Sequence, residues 1–489
     1  MAYSHGTYGS FEKSLATVPT QSDTVVVYVG LAPVNLIRDY QKKDLIHYPV
    51  QLKDMISAQQ KIGYSANIAA FSLCEAMEVH FANSIENAGP IVVINVLDPN
   101  LHKKAEAVTE KLVFINGRAS IASDKIILDT LVLADMIEDV DYTMDYDFTT
   151  STAIISYLGD DALESVNATY YEIDLSMIKE SDLIGGVTSS GVYSGLGAVG
   201  LVYPELGLIP NVLAAPGYSQ IPAVYQAMVQ AAKKINGHWD ACLVADIPIA
   251  DEETAIDTKD LAVKWKKEHD YTSEYAKVCY PMWQLKDGTV YHLSTLTAWL
   301  MLLVDGTHNG IPMESPSNKQ LPSGRQYYGE ESKNRGYDQQ QANDLNENGI
   351  TTGIYWGGRN VLWGPHTAAY QYGAMTDKRV IFDNSLRTMM YISNSFQQEH
   401  AITIDSPMTR AMADSIRNRE QEKADALAAI GAFIGTPTVE FKETENSTDA
   451  LAEGNFVWNF EGTPTPPFKS GTLKVAYTDA GFATFLGEE

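Results

Sequence analysis

Short apolar runs alternate with longer stretches of helical periodicity along much of this chain. In the clearest case an apolar run that begins at Pro210 ends at Pro216-Gly217. A helix-patterned stretch over residues 221–234 and a second apolar run over residues 241–247 follow. Short apolar runs that are bounded by turn residues and separated by a helical pattern are typical of a β-turn-α-β unit. The second strand is therefore predicted to lie parallel to the first, through a right-handed crossover.

The same alternation is present near the amino terminus. A strand is predicted over residues 25–30, a helix-patterned region over residues 52–81 and another strand over residues 91–97. Alternating strands and helices indicate α/β layering. The preceding residues 1–22 are polar, small and rich in turn residues, which is typical of an extended arm.

The pattern changes between about Asn100 and Leu183. Clusters of Asp, Gly and Ser separate short β-branched segments there, as in antiparallel β structure. These segments are residues 125–132, 153–157 and 165–172. The α/β pattern returns at Gly185, so we interpret the β-rich block as an insertion into a discontinuous core.

The carboxy-terminal half is more irregular. Residues 291–304 are strongly apolar and predict a buried helix, whereas residues 308–342 have a loop-like composition. A helical region is predicted over residues 407–433. Ser406 would cap it with Pro407 at the first helical position, and Gly435 and Pro437 would close it. Residues 455–485 alternate as a strand does, around a Pro-rich break.

These patterns predict a multidomain α/β (α+β) fold with a discontinuous α/β core, an inserted antiparallel β-rich domain and extended amino- and carboxy-terminal arms. The predicted units are residues 1–22 (arm), 23–99 (first part of the core), 100–183 (inserted domain), 184–467 (second part of the core, including the helical region 406–435) and 468–489 (arm).

Composition narrows the possible partners. The chain has 62 acidic and 35 basic residues, a net charge of −27, so its surface would repel nucleic acid and anionic membranes. No basic region followed by an apolar run marks a signal peptide, and no run approaches the ~20 apolar residues of a membrane span. Synthesis in the cytoplasm is therefore expected. Cys74, Cys242 and Cys279 stand alone in apolar sequence and are predicted to be buried, reduced thiols.

Several motif-like strings do not satisfy the chemistry that they suggest. The string GLGAVG at residues 195–200 fits GxGxxG, but its flanking sequence favours a flexible loop over a dinucleotide site. The string DLNENG at residues 344–349 begins like an EF-hand loop, but Tyr355 stands where the closing Glu should be, so a turn into the apolar run 350–356 is expected. GxSxG, HExxH and Walker strings are absent. We predict no catalytic residue, cofactor or metal site.

Six ordered segments resemble those of contractile tail sheath proteins from myovirus-type phages and phage-tail-like (R-type) bacteriocin particles. They are the DYT element at 141–143, APGYS at 215–219, SPSN at 315–318, the LNENGI turn at 345–350, the GR and WGPHT strings at 358–359 and 363–367, and the helix-like 382–392. Two departures occur. Leu386 replaces a frequent Arg, and Pro365-His366 replaces a small residue and Arg.

The resemblance implies a structural subunit that is not an enzyme and needs no cofactor. Sheath subunits form stacked six-fold rings around an inner tail tube protein and contract to drive the tube through a target cell envelope. Baseplate and tail terminator proteins are the other implied partners. The inserted domain would lie on the outside, and both arms would add strands to neighbouring subunits. The implied location is a virion tail or tail-like particle, assembled in the bacterial host cytoplasm.

A contact with the tube is also implied. The helical region concentrates Arg410, Arg417, Arg419 and Lys423 in an acidic protein, and these side chains are candidates for a tube-facing surface. An ordinary solvated helix face explains them equally well. Two other classes of protein stay open at this point: a subtilisin-like or α/β hydrolase enzyme, and another self-assembling protein such as a shell or surface-layer subunit.

Overall fold

A central eight-stranded sheet organises the fold. The structure is a computed structural model that describes residues 20–159, 161–251 and 254–485. The sheet strands, numbered here in chain order, are β1 (Thr20–Gly30), β2 (Pro49–Leu52), β3 (Ala88–Asn95), β4 (Val212–Ala214), β5 (Cys242–Asp246), β6 (Ala276–Cys279), β7 (Ile350–Trp356) and β8 (Arg359–Trp363). Their spatial order is β2-β3-β1-β4-β5-β6-β7-β8.

The six inner strands are parallel, and β2 and β8 are antiparallel edges. The predicted β-turn-α-β unit is confirmed, because β4 pairs in parallel with β5 through the register Val212↔Cys242. Parallel strands are covered on both faces, which explains why β1 and β5 read as continuous apolar runs rather than alternating ones. Their apolar side chains are buried in one large cluster.

Eight helices of eight or more residues occur in the described part of the chain. They are α1 (Met55–Ile62), α2 (Ser72–Phe81), α3 (Pro222–Ala231), α4 (Lys259–Glu268), α5 (Leu293–Thr307), α6 (Gln339–Asn346), α7 (Asp383–His400) and α8 (Arg410–Ala429). Helices α2 and α5 pack on β1 and β3. The predicted buried helix over residues 291–304 is therefore confirmed as α5.

Shorter elements connect these parts. The short α-helices are Glu180–Ile184, Val202–Leu206, Thr448–Ala452 and Phe482–Phe485. The 3-10 helices are Val34–Leu36, Tyr40–Lys42, Leu128–Thr130, Leu175–Met177, Gly195–Leu201, Lys378–Val380 and Ala401–Thr403. The minor antiparallel strands are Gly186–Val187 with Tyr193–Ser194, Ala250–Asp251 with Thr254–Ala255, the trio Met282–Leu285, Val290–Tyr291 and Gly324–Tyr327, and the pair Phe433–Glu440 and Asn459–Pro464.

The block between Asn100 and Leu183 is antiparallel, as predicted. Its two three-stranded sheets contain Val108–Val113, Ser165–Tyr170 and Val132–Leu133, and Arg118–Ala122, Thr152–Tyr157 and Tyr142–Asp147. A second hydrophobic cluster lies inside this block, and Leu36 from the 3-10 helix after β1 joins it. The block therefore has a core largely of its own.

The structure corrects three local predictions. The pattern over residues 52–81 forms two helices, because Gly63 after α1 has a φ of 80°, and a Cβ there would lie 2.4 Å from the carbonyl oxygen of Pro33. The segment Gly195–Leu201 is a 3-10 helix and not a flexible loop. A Cβ at Gly197 would lie 2.5 Å from the carbonyl oxygen of Gly186, so glycine permits close backbone packing there.

The third correction concerns α8. Its N-cap is Thr409, whose hydroxyl accepts from the Met412 N–H at 3.3 Å, and not Ser406. Ser406 instead lies in a turn, where its N–H donates to the Thr403 carbonyl. Gly435 and Pro437 lie inside the strand Phe433–Glu440 and do not close the helix.

The structure describes only part of the two predicted terminal arms. Residues 1–19 lie outside the described residues, and the end of the predicted amino-terminal arm, residues 20–22, already belongs to β1. Of the carboxy-terminal alternation, only Asn459–Pro464 forms a strand, and residues 465–480 contain neither helix nor paired strand.

Candidate interaction site

The described carboxy-terminal segment, residues 465–485, leaves large apolar side chains in solvent. We call it the tail. Phe468, Leu473, Val475 and Tyr477 are each between 84% and 90% exposed. The last three occupy alternate positions, the spacing that places side chains on one face of a strand. Exposed apolar side chains in such a row are a candidate surface for contact with another chain.

The base of the tail is held in place. Thr465 donates its N–H to the Ala432 carbonyl at 3.0 Å and its hydroxyl to the Gly431 carbonyl at 2.7 Å. Farther along, the Lys469 ammonium lies 5.4 Å from the centre of the Tyr370 ring. The tail therefore leaves the body at a defined point and then makes few contacts.

A small sheet lies directly before the tail. Phe433–Glu440 pairs with Asn459–Pro464 in antiparallel register, with Phe433 opposite Pro464, and packs against α8. No third strand joins this pair among the described residues. On the Phe433–Glu440 side, the Gln421 side chain of α8 already accepts from the Val439 N–H at 2.8 Å and donates to the Pro437 carbonyl at 2.9 Å. The Asn459–Pro464 edge is therefore the one that an additional strand could pair with.

The four predicted tube-facing side chains all lie on α8, but they differ in environment. Arg410 and Arg419 are exposed, and Arg417 is half-buried. Arg410 pairs with Asp414 at 3.1 Å, and Arg419 lies 3.8 Å from Glu399. The helix carries as many acids as bases, the acids being Asp414, Glu420, Glu422 and Asp425.

Lys423 faces the protein interior rather than solvent. Its ammonium donates to Glu399 at 2.6 Å and to Ser395 at 2.7 Å, and only 19% of the side chain is exposed. Both partners lie on α7, so the Lys423 charge holds α8 against α7. Of the four candidate side chains, Lys423 therefore stabilises the packing of the two helices.

A buried ion pair joins α7 to the central sheet. Arg387 in α7 donates to the Asp305 carboxylate at the end of α5, and Thr24 in β1 donates to the same carboxylate at 2.8 Å. Burial raises the pKa of Asp305, and the Arg387 charge opposes that rise. A second buried pair, Lys277 of β6 with Asp383 of α7 at 2.9 Å, makes a similar connection, and we call these two ion pairs together the joint. The start of β1 and the helices before the tail are thus fastened together.

The APGYS turn, residues 215–219, follows β4 at the carboxyl end of the parallel strands. There Asp246 accepts from the Ser294 N–H at 3.0 Å and from the Ser294 hydroxyl, and the Ser219 hydroxyl accepts from the Asp246 N–H at 3.1 Å. Glu75 accepts from the His292 N–H at 2.8 Å. Two carboxylates from distant elements therefore satisfy free N–H groups at the start of α5, as N-caps do.

His292 completes this cluster. Its Nδ1 lies 2.7 Å from Glu75. Burial by itself would lower the pKa of His292, but the Glu75 and Asp246 carboxylates outweigh burial and raise that pKa to about 9. The imidazole therefore carries a positive charge at neutral pH. The cluster binds α2, β5 and α5 together, and its serines bond to Asp246 rather than to an imidazole.

None of the helices in the described part of the chain is long and apolar enough to cross a membrane. Within the same ranges, no group of three or more His, Cys, Asp or Glu side chains is placed to hold a metal ion. All three cysteines are free and buried, as predicted.

Sequence comparison decides between the remaining classes of protein. No family model matches the chain. The tail sheath protein of Burkholderia phage BcepMu is 27% identical over 505 aligned positions, which cover 99% of both chains. The chain belongs to the contractile tail sheath proteins. The tail sheath protein of Escherichia phage P2 is 24% identical, over 63% of this chain and 73% of that relative.

Solved structures agree with this fold. A chain in the anti-feeding prophage baseplate superposes with a TM-score of 0.58 at 14% identity, covering 98% of this subunit and 100% of that chain. The contracted sheath of an extracellular contractile injection system, PVC, gives 0.54 at 12% identity, covering 98% and 99%. This sheath subunit is thus a structural component of a phage tail or tail-like particle, which excludes the hydrolase and surface-layer alternatives.

Sequence reasoning missed the residues around the base of the tail. Trp363 and His366 entered the sequence analysis only as parts of a family string, and Tyr370 was not singled out, although the departure at Pro365-His366 marked this segment as unusual. The alternation of Leu473, Val475 and Tyr477 was visible in the sequence.

Proposed function

We propose that this sheath subunit assembles into stacked six-fold rings around an inner tail tube and contracts to drive the tube through a cell envelope. The solved relatives support this proposal, since they include a six-fold symmetrised baseplate and a contracted helical sheath. Baseplate and tail terminator proteins would bind the two ends of the assembly, and assembly would occur in the host cytoplasm.

The observation that carries the proposal is the tail beside an open two-stranded sheet. Among the described residues nothing covers the alternating Leu473, Val475 and Tyr477, and no third strand pairs with the Asn459–Pro464 edge of the two-stranded sheet. Main-chain pairing between an extended segment and a sheet edge links proteins strongly while leaving their bodies free to rotate. We propose that the tail of one subunit adds as a strand to this sheet in a neighbour.

The energy of such a link comes from both backbone and side chains. Each large apolar side chain contributes roughly 1.5–3 kcal/mol when it passes from full exposure to full burial. A link made by three such side chains per subunit, together with main-chain hydrogen bonds, would stay intact while the rings rearrange during contraction. Contraction then needs no nucleotide at the moment of firing, because the assembled sheath itself stores the energy.

The test replaces Leu473, Val475 and Tyr477 together by Ser. We expect a folded subunit that forms no striated tubes in negative-stain electron microscopy. A matched control replaces three exposed apolar residues of the antiparallel block, Val113, Ile115 and Val132, by Ser, and should form normal tubes. Normal tubes from the tail variant would refute the strand-exchange proposal.

We propose further that the exposed arginines of α8 face the tube. Arg410, Arg417 and Arg419 are accessible at least in part in a strongly acidic protein, and weak exposed ion pairs would let the sheath release the tube on contraction. Lys423 is left out of the test, because reversing its charge would break its contacts with α7.

The variant Arg410→Glu, Arg417→Glu and Arg419→Glu should stack into rings but retain the tube poorly in co-assembly, and the defect should weaken with added salt, which screens exposed charges. Lys264→Glu on the exposed face of α4 is a control for charge alone. Extended, tube-filled sheaths at wild-type yield would show that α8 does not face the tube.

The antiparallel block, residues 100–183, is proposed to lie on the outer side of the particle, with residues 23–99 and 184–467 as the discontinuous core. Its separate hydrophobic cluster supports this division. So does the hydrogen bond from the Lys104 N–H to the Glu172 carbonyl at 2.9 Å, because it brings the two ends of the block together.

A further inference from the structure

A lysine and an aspartate lie side by side in the interior, where β6 meets the start of α7. Lys277 of β6 is 2% exposed and Asp383 of α7 is 4% exposed, and Nζ of the lysine lies 2.9 Å from Oδ2 of the carboxylate. The backbone of Asp383 is held by a hydrogen bond from its N–H to the Pro365 carbonyl at 3.0 Å. The two side chains are therefore kept in contact away from solvent.

Their contact is not an ordinary hydrogen bond. The Lys277 amine donates to the carbonyl of Gly364 at 2.6 Å and to that of His366 at 3.4 Å. Oδ1 of Asp383 accepts from the Asn384 N–H at 2.7 Å. Oδ2 faces Lys277 outside hydrogen-bond geometry, and none of the described residues donates to it. One carboxylate oxygen thus has a donor, whereas the other is buried without one.

These surroundings satisfy an amide better than they satisfy an ion pair. An amide between the two side chains would keep one N–H and one carbonyl oxygen. The N–H would donate to the Gly364 carbonyl, and Oδ1 would accept from the Asn384 N–H, so both partners are already in place. Oδ2, the oxygen without a donor among the described residues, is the atom that amide formation removes.

We propose that Lys277 and Asp383 join in an intramolecular isopeptide bond after the subunit folds. The ammonium first passes one proton to Oδ2, and the neutral amine then attacks Cγ of Asp383. A bond between Nζ and Cγ forms, the bond between Cγ and Oδ2 breaks, and Oδ2 leaves as water with a second proton from Nζ. The third proton stays on the amide nitrogen, so the step needs no oxidant, reductant or other reactant.

Burial favours this reaction. Two charges in a dry interior carry a large desolvation cost, which disappears when the pair becomes a neutral amide. Side chains that the fold holds in contact react at the high effective concentration of an intramolecular reaction, and exclusion of water protects the product from hydrolysis. The neighbouring pair of Arg387 with Asp305 balances its own charge. Condensation of Lys277 with Asp383 therefore leaves neither of those two charges without its partner.

The bond would tie the central sheet covalently to a helix on the way to the tail. Lys277 lies in β6, and Asp383 begins α7, to which Lys423 of α8 is bound. One connection between the tail and the sheet would then resist the force of contraction as a covalent bond. The bond itself does not depend on the proposed assembly, although this mechanical use of it does.

Mass spectrometry of the purified full chain tests the proposal. The intact subunit should be lighter than its sequence by the mass of one water molecule. A tryptic digest of the denatured protein should contain a branched peptide that joins residues 268–286 to residues 380–387, because trypsin does not cleave after a modified Lys277. Lys104 is the internal control: it lies 2.7 Å from Glu172 but is 50% exposed, so it should remain free and be cleaved normally.

Two substitutions separate the bond from other losses of water. Lys277→Arg keeps the positive charge but replaces the amine by a poor nucleophile, so this variant should have its full mass. Asp383→Asn should form the same amide by releasing ammonia instead of water. Its mass should therefore equal that of the cross-linked wild type.

A cleavage experiment leaves both residues unchanged. A protease site inserted between Gly357 and Gly358, at the exposed turn that joins β7 to β8, lies between the two bonded residues in the chain. After cleavage of the isolated subunit, the two fragments should migrate as one species on a denaturing gel. The same insertion combined with Lys277→Arg should give two separate fragments.

Two results would overturn the proposal. One is the full mass with a free Lys277 both in the isolated subunit and in assembled tubes. The other is a mass deficit without the branched peptide, because a succinimide at Asp287-Gly288 or Asp305-Gly306 would also release water. Neither result bears on the proposed assembly, which the tail variant tests separately.

Discussion

The central sheet and the tail have similar apolar side chains and opposite surroundings. Val25 to Val29 of β1 are at most 8% exposed, because helices cover both faces of their sheet. Leu473, Val475 and Tyr477 remain almost fully in solvent. The contrast shows that β1 completes its burial within one chain, whereas nothing among the described residues covers the tail, and the proposed function places that cover on a neighbouring subunit.

The two regions are nevertheless fastened to each other. Arg387 in α7 reaches Asp305 and so meets Thr24 of β1, and Lys423 of α8 reaches back to α7. A force on the tail would pass through α8 and α7 into the central sheet. We expect the stability of the subunit to depend on the central sheet and its buried ion pairs, and its assembly to depend on the tail.

The largest expected effect comes from removing the antiparallel block. Replacing residues 105–171 by a short Gly-Ser linker should leave a single cooperative melt, because the central sheet has its own core. The calorimetric unfolding enthalpy should fall by about 45 kcal/mol, at roughly 0.7 kcal/mol per residue. An insoluble or non-cooperative product would mean that the central core is incomplete without the block.

A control for this deletion uses Asn35, which donates to the carbonyls of Asp124 and Ile126 in the block. Asn35→Ala in the full chain measures how much stability that single attachment contributes. Its loss should be about 1–3 kcal/mol, since both hydrogen bonds are at least partly buried.

The next largest effect is expected at the joint. Arg387→Ala would leave the Asp305 carboxylate buried without its partner and should lower the free energy of unfolding by about 3–5 kcal/mol in urea titrations. Arg419→Ala, on the exposed face of α8, is the matched control and should change it by no more than about 0.5 kcal/mol. Equal effects of the two changes would contradict a special role for the joint.

The pH dependence of the free energy of unfolding should reveal the charge of His292 in its cluster with Glu75 and Asp246. The folded-state pKa of about 9 lies above the ordinary value of 6.5, so the positive imidazole stabilises the fold fully below pH 6.5. That contribution should be lost as the pH rises through 9, by about 2–3 kcal/mol. Urea titrations of the wild type and of His292→Gln, which cannot titrate, should converge across that interval. Parallel curves would contradict the assignment.

The smallest effect on stability is expected in the tail. The triple change of Leu473, Val475 and Tyr477 to Ser should alter the free energy of unfolding of the isolated subunit by no more than about 0.5 kcal/mol, since these side chains pack on little. Thermal melting before assembly measures this. A loss above 2 kcal/mol would show that the tail is part of the folded core.

Some elements could be predicted from the sequence because the local residue pattern and the tertiary environment favour the same structure. The β4-α3-β5 unit follows from apolar runs broken at Pro216-Gly217 and from a helix with Pro222 at its first position. The predicted turn into β7 is confirmed for residues 347–349, whereas residues 344–346 belong to the end of α6. Helix α8 was predicted with the wrong cap, because Ser406 and Thr409 are both good caps in sequence and only the preceding turn selects Thr409.

By itself the sequence determined the alternation of buried strands and helices, the antiparallel character of the block, the buried thiols and, through six ordered segments, the sheath family. These features depend on local periodicity and turn chemistry. Only the tertiary structure decided which charged side chains form ion pairs inside the protein, as Lys423 and Arg387 do. It also decided where a buried polar atom such as His366 Nε2 has no hydrogen-bond partner among the described residues. Such features depend on residues far apart in the chain, and no local pattern encodes the distance between them.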